Sequence, residues 1–153
     1  MPAPRAYRPI PIVTLKIVRR RHLWAHYPPV TTPAFAAKLV RDFIDEPDRE
    51  WLVALLLDEQ HRLTAIHPVA IGKGHYVLAE PREVLTIALL HRAYAVILCH
   101  NHPTGAVTPS AQDLEATSQL HAAGRIVGVT LWDHLILAPP RQVFSFRRAG
   151  LLG

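Results

Sequence analysis

The sequence predicts an α/β fold in which one domain holds a mixed β-sheet flanked by helices. Three observations point there. Apolar runs at 51–57 and 94–99 are continuous and have the length of buried central strands. Segments with helical periodicity, at 34–44, 81–93 and 110–124, alternate with strand-like segments through the middle of the chain. A length of 153 residues with 50% apolar content suits one domain with an ordinary core.

The elements follow in order. "PIVTLKIV" (11–18) alternates and is rich in β-formers, so it reads as a strand. Residues 1–30 are assigned to an N-terminal edge strand and linker within a single domain spanning 1–153. "YPPVTTP" (27–33) is the linker, with Thr32 as N-cap and Pro33 at the first helical position. Phe35, Leu39 and Phe43 then recur at i, i+4 and i+8 and give the helix 34–44 one apolar face. Pro47 helps to stop it. "WLVALLLD" (51–58) is the first buried strand, and "LTAIHPVAI" (63–71) the second. Pro68 marks that second strand as an edge or a bulge, and Gly72 and Gly74 end it. "PREVLTIALLHRA" (81–93) starts a helix on proline. "YAVILC" (94–99) is a buried strand. "SAQDLEATSQLHAAG" (110–124) is a helix with Gly124 as its C′ stop. "RIVGVTLWDHLIL" (125–137) gives one or two strands, and "VFSF" (143–146) a short last one.

Composition bounds the setting. The longest apolar run is far shorter than the roughly 20 residues that cross a bilayer. Prolines interrupt any apolar stretch in "MPAPRAYRPIPIV", so no signal peptide is read there. The single cysteine, Cys99, excludes an internal disulfide framework and fits a reducing compartment. The expectation is a soluble cytoplasmic protein. The net charge of +5 comes mostly from arginine, densest at 19–22 and 147–148. It implies either a solvated surface or an acidic partner such as nucleic acid. With no aromatics interleaved, nucleic acid stays a secondary expectation.

The chemistry concentrates in "VILCHNHPTGAVTPSAQD" (96–113). In extended backbone His100 and His102 point to the same side, at the C-terminal end of a buried strand. Open α/β sheets bind ligands at that end. A catalytic zinc takes three nitrogen or oxygen ligands and leaves one position for water. Asp113, in the first turn of the next helix, supplies a third ligand if the loop folds back. Pro103, Gly105 and Pro109 suit such a loop. Ser110 reads in two ways: as hydrogen-bond donor to a developing oxyanion, or with Asp113 as a helix-capping box. The literal "HNH" tripeptide is a coincidence with the nuclease label, which describes residues dispersed over a ββα unit.

The spacing H-x-H-P-x6-S-x-x-D (His100, His102, Pro103, Ser110, Asp113) resembles the JAMM motif of the JAB/MPN metalloenzymes. "HNHPTG", "PREV", "PSAQD" and "DHLIL", in that order, resemble the RadC branch from about residue 30 to the end. The resemblance implies a JAB/MPN-like domain, layered as in the cytidine deaminases. It implies Zn2+ held by His100, His102 and Asp113 with a water. It also implies Glu50 as general base, because "EWLVALLLD" matches the family's glutamate-led strand; on its own, Glu50 would read as part of the solvated run "DEPDR". The implied activity is hydrolysis of an amide, peptide or isopeptide bond in a protein or peptide substrate, ubiquitin-like proteins among the candidates. Two alternatives stand beside it: a DNA repair or recombination factor, after the family's traditional label, and a zinc-binding domain without turnover. Thr104 and Ala106 depart from the family's usual serine and acidic residue, but neither position holds metal. "IGKG" (71–74) stands where the family has a Gly-Thr turn. No helix-hairpin-helix segment is read before residue 30.

Asp133 and His134 read either as a second metal pair, as a pair orienting a ligand imidazole, or as a satisfied buried polar pair. Alternation turns Cys99 away from both histidines, into the core. His22, His26, His61, His67, His75, His91 and His121 lack ligand spacing and read as surface or packing residues. Trp24, Trp51 and Trp132 read as core or rim.

Overall fold

A computed structural model describes residues 11–19, 28–72 and 80–152. Tyr27, Gly74, most of the 19–22 arginine cluster, His22, Trp24, His26 and His75 fall outside them. The elements are α1 (Pro33–Phe43), β1 (Trp51–Leu57), β2 (Leu63–Ile71), α2 (Pro81–Leu90), β3 (Ala95–Asn101), α3 (Ala111–Val127), β4 (Thr130–Ala138) and β5 (Gln142–Ser145). The strands form one mixed sheet in the order β2-β1-β3-β4-β5. Only β3 and β4 run parallel, joined by α3; the other neighbours are antiparallel. This is the predicted α/β class.

The apolar runs are central strands because both of their faces are covered. Every residue of β1 is buried. Val53, Leu55 and Leu57 join Ile97 and Cys99 in a core under α1. Leu52, Ala54 and Leu56 join Val96 and Leu98 in a second core under α2 and α3. A fully buried leucine contributes about 1.5–3 kcal/mol, so truncating Leu55 or Leu56 would remove a substantial part of one layer. Helix α1 starts as expected, with the Phe35 amide donating to Thr32 Oγ1 at 3.2 Å and Pro33 in the first turn. Its buried face is Ala36, Ala37, Leu39 and Val40, with Phe35 and Phe43 only partly covered. Small alanines let the helix lie close to the sheet, and the two rings pack at its margins.

Among the described residues strand β2 is an edge, and its register against β1 shifts where Val53 pairs with Pro68. Both expectations for that proline therefore hold together. Two others change. Residues 11–18, expected as an edge strand, are exposed and lie outside the sheet. Gly124 does not stop α3, which continues to Val127 and ends on Gly128 in the left-handed conformation (φ 77°). Gly124 lies inside the helix because β4's approach leaves no room there: a Cβ would sit 2.5 Å from the Val129 carbonyl oxygen. The Val129 amide also donates to the Gly124 carbonyl at 2.9 Å.

The topology fixes where the chemistry falls. Because β1 is antiparallel to β3, the start of β1 lies beside the end of β3. Helix α3 begins just past that same end.

Candidate metal centre

His100 and His102 sit at the C-terminal end of β3, on the face covered by α2 and α3. Their side chains converge, with Nε2 of one ring 2.8 Å from Nε2 of the other. His100 is buried, while His102 is partly open to solvent. The His102 amide donates to the Leu137 carbonyl at 2.7 Å, which ties the strand end to β4. The pairing of Leu52 with His100, continued by two residues, sets Glu50 opposite His102. Glu50 Oε1 is 3.8 Å from His102 Nε2. One ligand atom each from Glu50, His100 and His102 lies within 4.8 Å of the others. Asp113 comes from the other side, with Oδ1 3.5 Å from His100 Nε2. The loop thus sets the 113 carboxylate beside His100, while the group close enough to share one ion is Glu50, His100 and His102.

Ser110 is the N-cap of α3. The Asp113 amide donates to Ser110 Oγ at 3.1 Å, and both the Ser110 amide and its hydroxyl donate to Asp113 Oδ2 at 2.7 Å. This is a full capping box. It holds one carboxylate oxygen and leaves Oδ1 facing His100. In this arrangement the Ser110 hydrogen is engaged with Asp113.

The hydrogens on the rings follow from their partners. A carbonyl oxygen only accepts, so His102 Nδ1, 2.6 Å from the Ala106 oxygen, carries the hydrogen and leaves Nε2 bare. Thr117 Oγ1 donates to the Asp113 carbonyl at 2.5 Å, and His134 Nδ1 lies 2.6 Å from the same hydroxyl. With its hydrogen engaged, that oxygen accepts from His134 Nδ1. His134 Nε2 then accepts from His100 Nδ1 at 2.9 Å. His100 Nε2 is therefore bare as well. The His100 and His134 rings are neutral at pH 7. Burial pushes His100 down to about 4, with Asp113 opposing and His102 reinforcing the shift. Burial, together with the nearby His100 and His102, holds His134 well below the ordinary histidine range.

Two bare imidazole nitrogens thus face each other across 2.8 Å, flanked by two carboxylates, with no hydrogen to share. This donor set fits a divalent cation of the zinc class, whose nitrogen and oxygen ligands it supplies.

Asp133 and His134 do not act as a pair. Their neighbours in β3 are Ile97 and Leu98, so they point to opposite faces. Asp133 accepts from the His134 amide at 2.8 Å, the Arg147 amide at 3.0 Å and the Ser145 hydroxyl at 2.6 Å. It is a satisfied buried carboxylate that anchors the turn after β5. His134 alone backs His100. Cys99 is buried on the α1 face, where burial and then Asp133 push its thiol up.

Asn101, between the two histidines, carries no ligand signal in the sequence. Its Oδ1 accepts from the Trp51 amide at 2.7 Å, and its Nδ2 donates to the Arg49 carbonyl at 2.8 Å and the Pro47 carbonyl at 3.3 Å. Its partner Trp51 stands at the next step of the β1–β3 register, which the sequence does not disclose. Thr117 is a second residue that sequence reasoning misses, although it stands four residues after Asp113 and so on the same helix face.

Residues 30–151 match the family model described as the RadC-like JAB domain. The chain belongs to the RadC-like JAB domain family. It is 42% identical over 110 residues to a UPF0758 protein of Desulforudis audaxviator, an alignment covering 72% of this chain and 48% of that protein. A UPF0758 protein of Aquifex aeolicus is 41% identical over 123 residues, covering 80% and 52% of the two chains. One from Geobacter sulfurreducens is 44% identical over 104 residues, covering 68% and 45%. The chain spans about half the length of the curated relatives it matches. The JAB resemblance read from the motifs is thereby the family of the whole described domain, and the RadC segment "HNHPTG" falls at the converging histidines. No described helix is long and apolar enough to cross a membrane.

Proposed function

We propose that this RadC-like JAB domain is a zinc-dependent hydrolase of amide bonds, acting on peptide or isopeptide linkages in a protein substrate. The observation that carries the reading is the convergence of two bare Nε2 atoms, 2.8 Å apart, with the carboxylates of Glu50 and Asp113 on either side.

His100, His102 and Asp113 are the residues to hold the metal. A zinc ion there supplies Lewis acidity, lowering the pKa of water and polarising a carbonyl. Glu50 is the general base: it takes a proton from the attacking water and returns it to the departing amine nitrogen. Its carboxylate stands at the margin of the site, on the first residue before a rigid central strand. Ser110 orients Asp113 in the resting arrangement. For its hydroxyl to serve a developing oxyanion it must turn from Asp113 Oδ2, which the Ser110 amide continues to hold. The partly open His102 side is where an extended peptide would enter.

The test is metal content after purification without added metal, comparing wild type with His102→Ala, followed by cleavage assays on peptide and isopeptide libraries. The expected result is about one zinc per chain, lost in the variant, and cleavage that a chelator abolishes. Equal metal content in both proteins, or cleavage indifferent to chelator, would overturn the reading.

A further inference from the structure

Thr117 and His134 lie behind the metal centre and touch no site that substrate could reach. His134 is buried, stacked on Phe146 at 4.7 Å, and Thr117 is buried in α3. Yet they sit in an unbroken line from the Asp113 carbonyl to His100 Nδ1, with contacts of 2.5, 2.6 and 2.9 Å.

That line decides between two ways of placing three ring hydrogens. In the first, His134 and His100 both carry hydrogen on Nδ1, and His100 Nε2 is bare. In the second, both carry it on Nε2. His134 then donates to His100 Nδ1, His100 donates to His102 Nε2 across 2.8 Å, and His102 donates to the Ala106 carbonyl. The second arrangement satisfies the three histidines among themselves and leaves no nitrogen for a metal.

Thr117 excludes it. A contact of 2.5 Å between the Thr117 hydroxyl and a carbonyl oxygen requires the hydrogen between them, since two bare oxygens repel at that distance; the two bare nitrogens that the first arrangement leaves are farther apart, at 2.8 Å, and a bound cation removes their repulsion. The hydroxyl then offers only lone pairs to His134 Nδ1, which must carry hydrogen. We propose that Thr117 and His134 are positioning residues that lock His100 with its hydrogen on Nδ1, keeping the site open to a cation and closed to an internal histidine chain. The inference rests on the metal-site reading above. Asp113 thereby acts on His100 from both ends: its carboxylate faces Nε2, and its backbone carbonyl sets Nδ1 through the relay.

The experiment uses the full chain, labelled with 15N-histidine, in wild type, Thr117→Val and Thr117→Ser. Ring-nitrogen chemical shifts of the metal-free proteins at pH 7 give the tautomers. Competition with a chromophoric chelator gives zinc affinity. Wild type and Thr117→Ser should show His100 protonated on Nδ1. Thr117→Val should show hydrogen on His100 Nε2 and a zinc affinity roughly 10–100-fold weaker. Amide spectra establish that each variant is folded. A mere packing role would tolerate the isosteric valine better than the smaller serine, the reverse of this order. Hydrogen on Nε2 in wild type, or wild-type zinc affinity in folded Thr117→Val, would overturn the proposal. Absence of zinc binding by wild type would overturn the hydrolase reading instead, while the ring shifts would still decide the relay.

Discussion

The Trp51 amide donates to Asn101 Oδ1 at 2.7 Å, joining the first residue of β1 to the last residue of β3. The amide group of the same side chain donates to the carbonyls of Arg49 and Pro47. Glu50 is therefore gripped through the backbone on both of its sides, and its own carbonyl accepts from the Gly72 amide at 2.8 Å. The residue between the two histidines fixes the residue proposed to act with them.

From this clamp, Asn101→Ala should lower hydrolysis far more than zinc affinity. The histidines keep their strand and their partners, while Glu50 loses its support. Displacing a general base by about 1 Å costs on the order of 10²-fold. Three lost hydrogen bonds, two of them short, should also cost roughly 1–3 kcal/mol of stability. Paired measurements of kcat, zinc affinity and Tm check this. Equal losses of metal and turnover would place Asn101 in the metal site itself.

Glu50→Gln separates base from ligand. Glu50 lies close enough to both histidines to be counted with them as a metal-binding group, whereas the proposed mechanism gives it the proton. The expected outcome is zinc content unchanged and hydrolysis reduced by about 10²-fold or more, since a general base commonly supplies roughly 10²–10⁴. Metal analysis and cleavage rates read it directly. Loss of zinc would move Glu50 into the ligand set.

These expectations show what was legible in the sequence and what was not. The apolar runs gave β1 and β3 because a strand covered on both faces has no other composition available. Alternation placed His100 and His102 together and sent Cys99 to the opposite core. The register was not legible, and Asn101 and His134 depend on it: their partners are 50 and 34 residues away. Gly124 misled for a related reason. A glycine late in a helix reads as a stop, but here it accommodates the backbone of β4, a contact that only the packed structure reveals. The segment 11–18 carries a strand's pattern without a neighbour to pair with among the described residues.

The buried histidines make the metal-free protein acid-sensitive. His100 is held at about 4, below the ordinary histidine value of 6.5, and His134 is shifted in the same direction. Between those values the unfolded chain binds protons that the folded one refuses. Stability is therefore fully present above about 6.5 and falls as pH drops toward 4, a tenfold difference in proton affinity being worth about 1.4 kcal/mol. Thermal melts of metal-free protein from about pH 7.5 to 4 should show the loss. His134→Gln, which removes one titrating ring, should flatten the profile. A Tm indifferent to pH across that window would mean that the two rings are not buried neutral.

Gly124→Ala tests the close approach of α3 and β4. In an exposed helix the change would stabilise by about 1 kcal/mol, because glycine is the poorer helix former. Here the new Cβ would stand 2.5 Å from the Val129 carbonyl oxygen, which is backbone and is followed directly by β4. The helix must move off the strand, and overpacking of this kind costs roughly 1–3 kcal/mol. The net effect should be destabilising, a fall in Tm of several degrees. Helix α3 carries both Asp113 and Thr117, so the shift should also weaken zinc binding by a few-fold. A Tm equal to or above wild type would show that the strand yields freely at Val129, and the site at the other end of the helix should then be untouched.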